Sequence, residues 1–101
     1  MYQLIAMFRH PADPAAFEQA YTESHLPLAR KIPGLTSLTV SKFHPAKDGP
    51  AKYYQMAVLN FPDKDTFKMA MRSHENGEAG ANLMEFARDI VEFYTTEAAE
   101  L

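Results

Sequence analysis

Four histidines, His10, His25, His44 and His74, are the side chains of this sequence best suited to move a proton near neutral pH. His25 stands apart from the others. It follows Tyr21 by four residues and precedes Pro27 by two, in the run YTESHLPLARKIPGL from Tyr21 to Leu35. On a helix the i, i+4 pair Tyr21 and His25 shares a face, and the two side chains touch. The imidazole can take or give a proton, and the phenol can orient it or hydrogen-bond a ligand. Pro27 has no backbone N–H, so the carbonyl of Glu23 loses its helical partner. A polar spot then sits in an otherwise apolar wall, and such interruptions recur at functional sites. The plainer reading of the same residues is structural: a half-buried histidine satisfied by a carbonyl, and a proline that bends the helix around a sheet. From His25 taken alone, that plainer reading is the commoner outcome.

The remaining polar residues point to little else. His10 and His44 each precede a proline at a strand end and read as turn residues, while His74 lies near a helix start and reads as exposed. Arg9 reads as a solvated residue at the end of the first strand. No two histidines stand at i, i+3 or i, i+4, so no metal site is expected. No glycine-rich loop or dinucleotide fingerprint is present, so no cofactor is expected. The absence of cysteine excludes disulfides and thiol nucleophiles. No serine sits in a nucleophile-elbow motif.

The chain of 101 residues has the length of one domain with a modest core, 1–101, and its small size makes burial against a second subunit plausible. A net charge of −3 with no cluster of Lys and Arg argues against nucleic acid and gives no reason to invoke an anionic membrane. The opening MYQLIAMFRH lacks a basic region before its apolar run and reads as a strand, not a leader peptide. No apolar run is long enough to span a bilayer, and a cytoplasmic location is the default expectation.

The elements that must position His25 follow from pattern. Tyr2 to Arg9 reads as a strand, stopped by HPADP. Asp13 is an N-cap with Pro14 at the first helical position. Phe17, Tyr21, Ser24, Leu28 and Ile32 then mark one buried helical face, ended by Pro33-Gly34. Leu35 to Phe43 and Tyr53 to Phe61 read as strands of an antiparallel hairpin around the loop HPAKDGPAK. Pro62-Asp63 opens a short helix carrying Phe67 and Met71. Ser73 caps a second piece carrying Leu83, Met84, Phe86 and Ala87. Asp89 to Thr96 reads as the last strand, and the tail EAAEL as loose or helical.

The order β-α-β-β-α-β predicts an α+β, ferredoxin-like antiparallel sheet with helices on one face. In the third strand both alternating sets are apolar: Tyr54, Met56 and Val58 on one side, Ala57, Leu59 and Phe61 on the other. A solvated face would not look like this, so the bare sheet face is expected to be covered by a second copy, giving a homodimer. Among the aromatics, Tyr53, Tyr54, Phe61, Phe86, Phe93 and Tyr94 read mostly as core. Tyr54, Phe61, Phe86 and Leu28 are the candidates to line a ligand cavity between sheet and helices, beside His25 and Tyr21.

The run FEQAYTESHLPLARKIPGL resembles the helix signature of the EthD family: an aromatic residue, then H-x-P, then a polar stretch ending in P-G-L. The run FPDKDTFKMAMRSHENGEAGANLMEFA resembles the family's second signature, which ends here in Asn82, Phe86 and Ala87. His74, where relatives often have proline, and Asn82, where many have aspartate, depart from the pattern, and the second departure puts a role for position 82 in doubt. The resemblance implies a dimeric α+β barrel, in which two chains pack sheet against sheet and each keeps a pocket between sheet and helices. It implies a small, largely apolar, cyclic or aromatic organic ligand. It also implies either a cofactor-independent oxidoreductase, isomerase or cyclase-type enzyme using His25, or a non-catalytic binding or accessory protein of a catabolic oxygenase system.

Overall fold

Short apolar and β-branched runs form four strands: β1 (Tyr2–Phe8), β2 (Ser37–Lys42), β3 (Gln55–Phe61) and β4 (Val91–Glu97). They make one antiparallel sheet in the order β2-β3-β1-β4 in a computed structural model that describes residues 1–99 and 101. The helices α1 (Pro14–Gln19), α2 (Leu26–Ala29), α3 (Lys64–Met71) and α4 (His74–Ala87) complete the ferredoxin-like α+β arrangement. The starts of three helices follow the local chemistry. Asp13, Asp63 and Ser73 are extended N-caps whose side chains accept from the N–H groups of Ala16, Thr66 and Asn76. Gly34 turns the chain after Ile32 with φ 80°, and a Cβ there would come within 2.5 Å of the Thr66 methyl, so only glycine fits.

Register decides which side chains meet the helices. Ala6 pairs with Ala57, Phe8 with Gln55, and Leu4 with Leu59; these face the helices and form the core with Phe61, Phe17, Tyr21, Ala29, Ile32, Leu83 and Ala87. The other face carries Ile5 opposite Val58 and Met7 opposite Met56, all partly exposed. Polar side chains flank that apolar centre on one side: Asn60 donates to Ser37, Gln3 donates to Asn60, and Thr96 donates to Gln3, a ladder across all four strands.

Two local expectations are corrected. The helix from Pro14 is interrupted, as expected, but upstream of Pro27: a π-helical turn (Ala20–His25) separates α1 from α2, and the N–H of Leu26 donates to the carbonyl of Tyr21, five residues back. On a regular α-helix a four-residue step drifts by about 40°. The wider π turn absorbs that drift, so Phe17, Tyr21, His25 and Ala29 stay on one line and are all buried. Ser24, expected on this face, is exposed, and Leu28 is only partly buried. Tyr54 does not share the open face with Met56 and Val58. The chain bends before β3 begins at Gln55, and the Tyr54 ring turns to the helix side, 5.7 Å from Phe17. At the C-terminus, Glu97 ends β4, the N–H of Ala98 donates to the Met1 carbonyl at 2.9 Å, and residues 98 and 99 are not helical. The part of the tail reading that falls on residue 100 lies outside the described residues.

Candidate functional site

Small residues on facing elements leave a cavity of about 480 Å³ between the sheet and the helices. Ala6 and Ala57 form its floor on β1 and β3, Ala29 its wall on α2, and Gly77, Ala79, Gly80 and Ala81 its roof on α4. A volume of this size suits a small organic molecule. Leu4, Phe8, Leu59, Leu83, Met71 and Met84 make the lining apolar, and Phe93, about half exposed, stands at the edge strand. Among the described residues, its titratable lining side chains are Tyr21 and His25, and none is charged at neutral pH.

The π turn places both. Tyr21 is 3% and His25 8% exposed, with ring centroids 5.1 Å apart. Burial holds the Tyr21 phenol protonated, with its pKa pushed up to about 12. Burial also lowers the His25 pKa, while the Asn82 side chain and the Ala79 carbonyl on α4 pull it partly back; the net shift is downward. His25 is therefore neutral at pH 7. Its Nδ1 is sealed from solvent without a hydrogen-bond partner, and so is Oδ1 of Asn82.

The other candidate lining residues lie elsewhere. Phe86 stands behind His25, 6.3 Å between ring centroids, and opens onto a separate surface cleft of about 660 Å³ with Phe17 and the 11–13 and 88–90 segments. Phe61 is fully buried against Phe67, and Leu28 does not reach the cavity. Tyr54 belongs to a second polar cluster beside α1. Its hydroxyl donates to Glu18 at 2.5 Å, Lys42 ion-pairs with Glu18 and donates to Gln55, and the Lys42 ammonium lies 4.7 Å from the Tyr54 ring centroid. Glu18 pushes the Tyr54 pKa up to about 12. This cluster ties α1 to β2 and β3. The remaining histidines are peripheral: His10 reaches the Ala51 carbonyl at 2.6 Å, His44 is exposed, and the His74 ring lies against the Glu78 carboxylate on the surface. Arg9 does more than end a strand, since it ion-pairs with Glu92 and donates to the Asp89 carbonyl. Among the described residues, no three His, Asp or Glu side chains converge as a metal site would require, and no helix is long and apolar enough to cross a membrane.

Asn82, whose role its departure from aspartate put in doubt, comes to His25 from α4. The Gly and Ala run on α4 carries no signal of its own, because only docking sets it opposite Ala6 and Ala57.

A ferredoxin-like α+β chain with an apolar, histidine-bearing cavity under its helices is thus the class that fold and geometry define. The EthD domain profile matches residues 9–96, and this chain belongs to the EthD family. An uncharacterized 11.0 kDa protein from the thcB-thcC intergenic region of Rhodococcus erythropolis is 34% identical over 87 residues, covering 86% of this chain and 84% of its own. An EthD family protein from Bacillus halodurans superposes with a TM-score of 0.94 at 33% identity, over 98% of this chain and 99% of its own. Two more distant structures share the fold alone. One is SnoaB, a cofactor-independent oxygenase from Streptomyces nogalater, with TM-score 0.71, 17% identity and coverage of 99% and 94%. The other is a dimeric ferredoxin-like protein of unknown function from Thermobifida fusca, with TM-score 0.69, 19% identity and coverage of 96% and 90%.

Proposed function

We propose that this chain binds a small, largely apolar, cyclic or aromatic organic compound in the cavity under its helices, with His25 as the proton-transfer residue and Tyr21 beside it. One observation carries the reading: an apolar cavity of about 480 Å³ whose two titratable lining groups are adjacent on one helical line. A neutral imidazole is a base, and a phenol kept protonated is a donor. Together they suit removal of a proton next to a carbonyl or phenol, with His25 taking the proton and the Tyr21 hydroxyl supporting the oxygen that gains charge. A shared fold with a cofactor-independent oxygenase is consistent with chemistry done without a cofactor. The sparse polar inventory favours a second reading, a non-catalytic carrier, because no other acid or base lines the cavity among the described residues.

The reading includes a homodimer through the open sheet face, supported by the apolar centre of that face and by the dimeric state of a similar structure.

Fluorescence titration with 2-naphthol tests the binding. Saturation at one site per chain is expected, weakened about tenfold in His25→Ala, which is the loss of one hydrogen bond of about 1.4 kcal/mol. Absence of saturable binding by the folded wild type sinks the reading. For a compound that co-purifies with the protein, an enzyme using His25 converts it with a rate that falls as pH drops through the lowered His25 ionisation, and a carrier returns it unchanged.

A further inference from the structure

Two sealed polar atoms on neighbouring side chains from different elements lack a hydrogen-bond partner. Nδ1 of His25 comes from the π turn, and Oδ1 of Asn82 comes from α4. Neither has a hydrogen bond of regular geometry, although the Asn82 side chain lies close enough to act on the imidazole. An amide oxygen can only accept. A neutral imidazole donates from one nitrogen and accepts at the other, according to its tautomer. With Nδ1 as acceptor, two lone pairs would face each other in a dry site unless the amide turned over to present its NH2. With Nδ1 as donor, both atoms are satisfied by a small closing movement, and the carbonyl of Ala79, one turn earlier on α4, also favours a proton on the ring. The second ring nitrogen, Nε2, is not sealed in this way, and His25 lines the cavity.

We infer that Asn82 is a positioning residue that holds His25 in the tautomer protonated at Nδ1, so that Nε2 offers its lone pair to the cavity and selects ligands bearing a neutral hydroxyl, phenol or enol. A carboxylate would meet that lone pair with no cation among the described lining residues, whereas a hydroxyl donates to it. The tautomer assignment stands on the two side chains alone, and the ligand class rests on the small-molecule reading above.

Long-range ¹H–¹⁵N NMR of ¹⁵N-labelled protein, recorded above the His25 ionisation, tests both parts. The wild type should show a protonated, pyrrole-like Nδ1 and an unprotonated, pyridine-like Nε2. Asn82→Ala should mix the two tautomers, and Asn82→Asp should restore the wild-type one while raising the His25 ionisation. Adding 2-naphthol should shift Nε2, and 2-naphthol should bind about tenfold more tightly than naphthalene. A protonated Nε2 in the wild type overturns the role of Asn82, whether or not either variant folds. The expected tautomer with equal binding of the two probes overturns the ligand class. The expected tautomer with no binding of either probe supports Asn82 as the positioning residue and overturns the small-molecule reading and the ligand class together.

Discussion

Burying an imidazole inside an apolar wall makes its protonation unfavourable, and this has a measurable consequence for His25. Its folded pKa lies below the ordinary value of 6.5, so the unfolded chain binds a proton first as pH falls. The stability linked to His25 is fully present above 6.5 and is lost as pH drops from there toward the folded value. Urea unfolding of wild type and His25→Gln between pH 7 and 5 should show the steeper loss in the wild type; equal slopes would mean that His25 is not depressed. Tyr54 offers a contrast at the same scale. Removing its hydroxyl leaves Glu18 with Lys42 alone, in a half-exposed cluster where solvent screens the charges. Tyr54→Phe should cost about 1 kcal/mol of stability and leave 2-naphthol binding unchanged, because the residue is outside the cavity. A large loss of binding would move Tyr54 into the site. The Tyr21–His25 pairing was legible in sequence because it needs only a four-residue step. The Tyr54 cluster was not, because a bend before β3 reverses the side that strand alternation assigns.

The π turn and α4 together make the cavity, one by aligning its polar groups and the other by leaving room. An added Cβ at Gly80 meets nothing within 4 Å, and Gly80 lines the cavity in the middle of α4. Replacing it with Leu removes glycine's helix penalty of about 1 kcal/mol and places a side chain where the ligand would sit. Gly80→Leu should therefore keep or raise the thermal midpoint while abolishing 2-naphthol binding. A variant that melts normally and binds normally would show that this cavity is not the binding site. Pro27 was a correct pointer to irregularity, but its place in the mechanism of the helix differs from the sequence reading. The proline directly follows the last π-type bond, donated by Leu26, so the register change lies upstream of it. A wheel drawn at 3.6 residues per turn cannot show this, which is why it puts Ser24 on the buried face.

Across the whole molecule, the open sheet face leaves apolar side chains partly exposed. Its middle rows, Ile5 with Val58 and Met7 with Met56, are apolar, and a polar ladder from Ser37 to Thr96 closes one end. The proposed homodimer predicts that Val58→Arg, which puts a charge in the centre of this face, converts the protein to monomers by light scattering without changing its fold. A wild type that is monomeric at tens of micromolar, or a Val58→Arg variant that stays dimeric, would contradict that interface. The cavity lies on the helix side of the sheet, so monomers should still bind 2-naphthol.

The element order, the caps at Asp13, Asp63 and Ser73, the two apolar sheet faces and the pairing of Tyr21 with His25 were all determined by the sequence itself. Each depends on residues within a few positions of one another or on simple alternation. Tertiary structure decided the π turn that centres His25, the side on which Tyr54 falls, the cavity beneath the glycines and alanines of α4, and the approach of Asn82 to His25. Those features depend on how separate elements dock, and docking is settled by volumes and hydrogen-bond demands summed over the whole core, which no local spacing encodes.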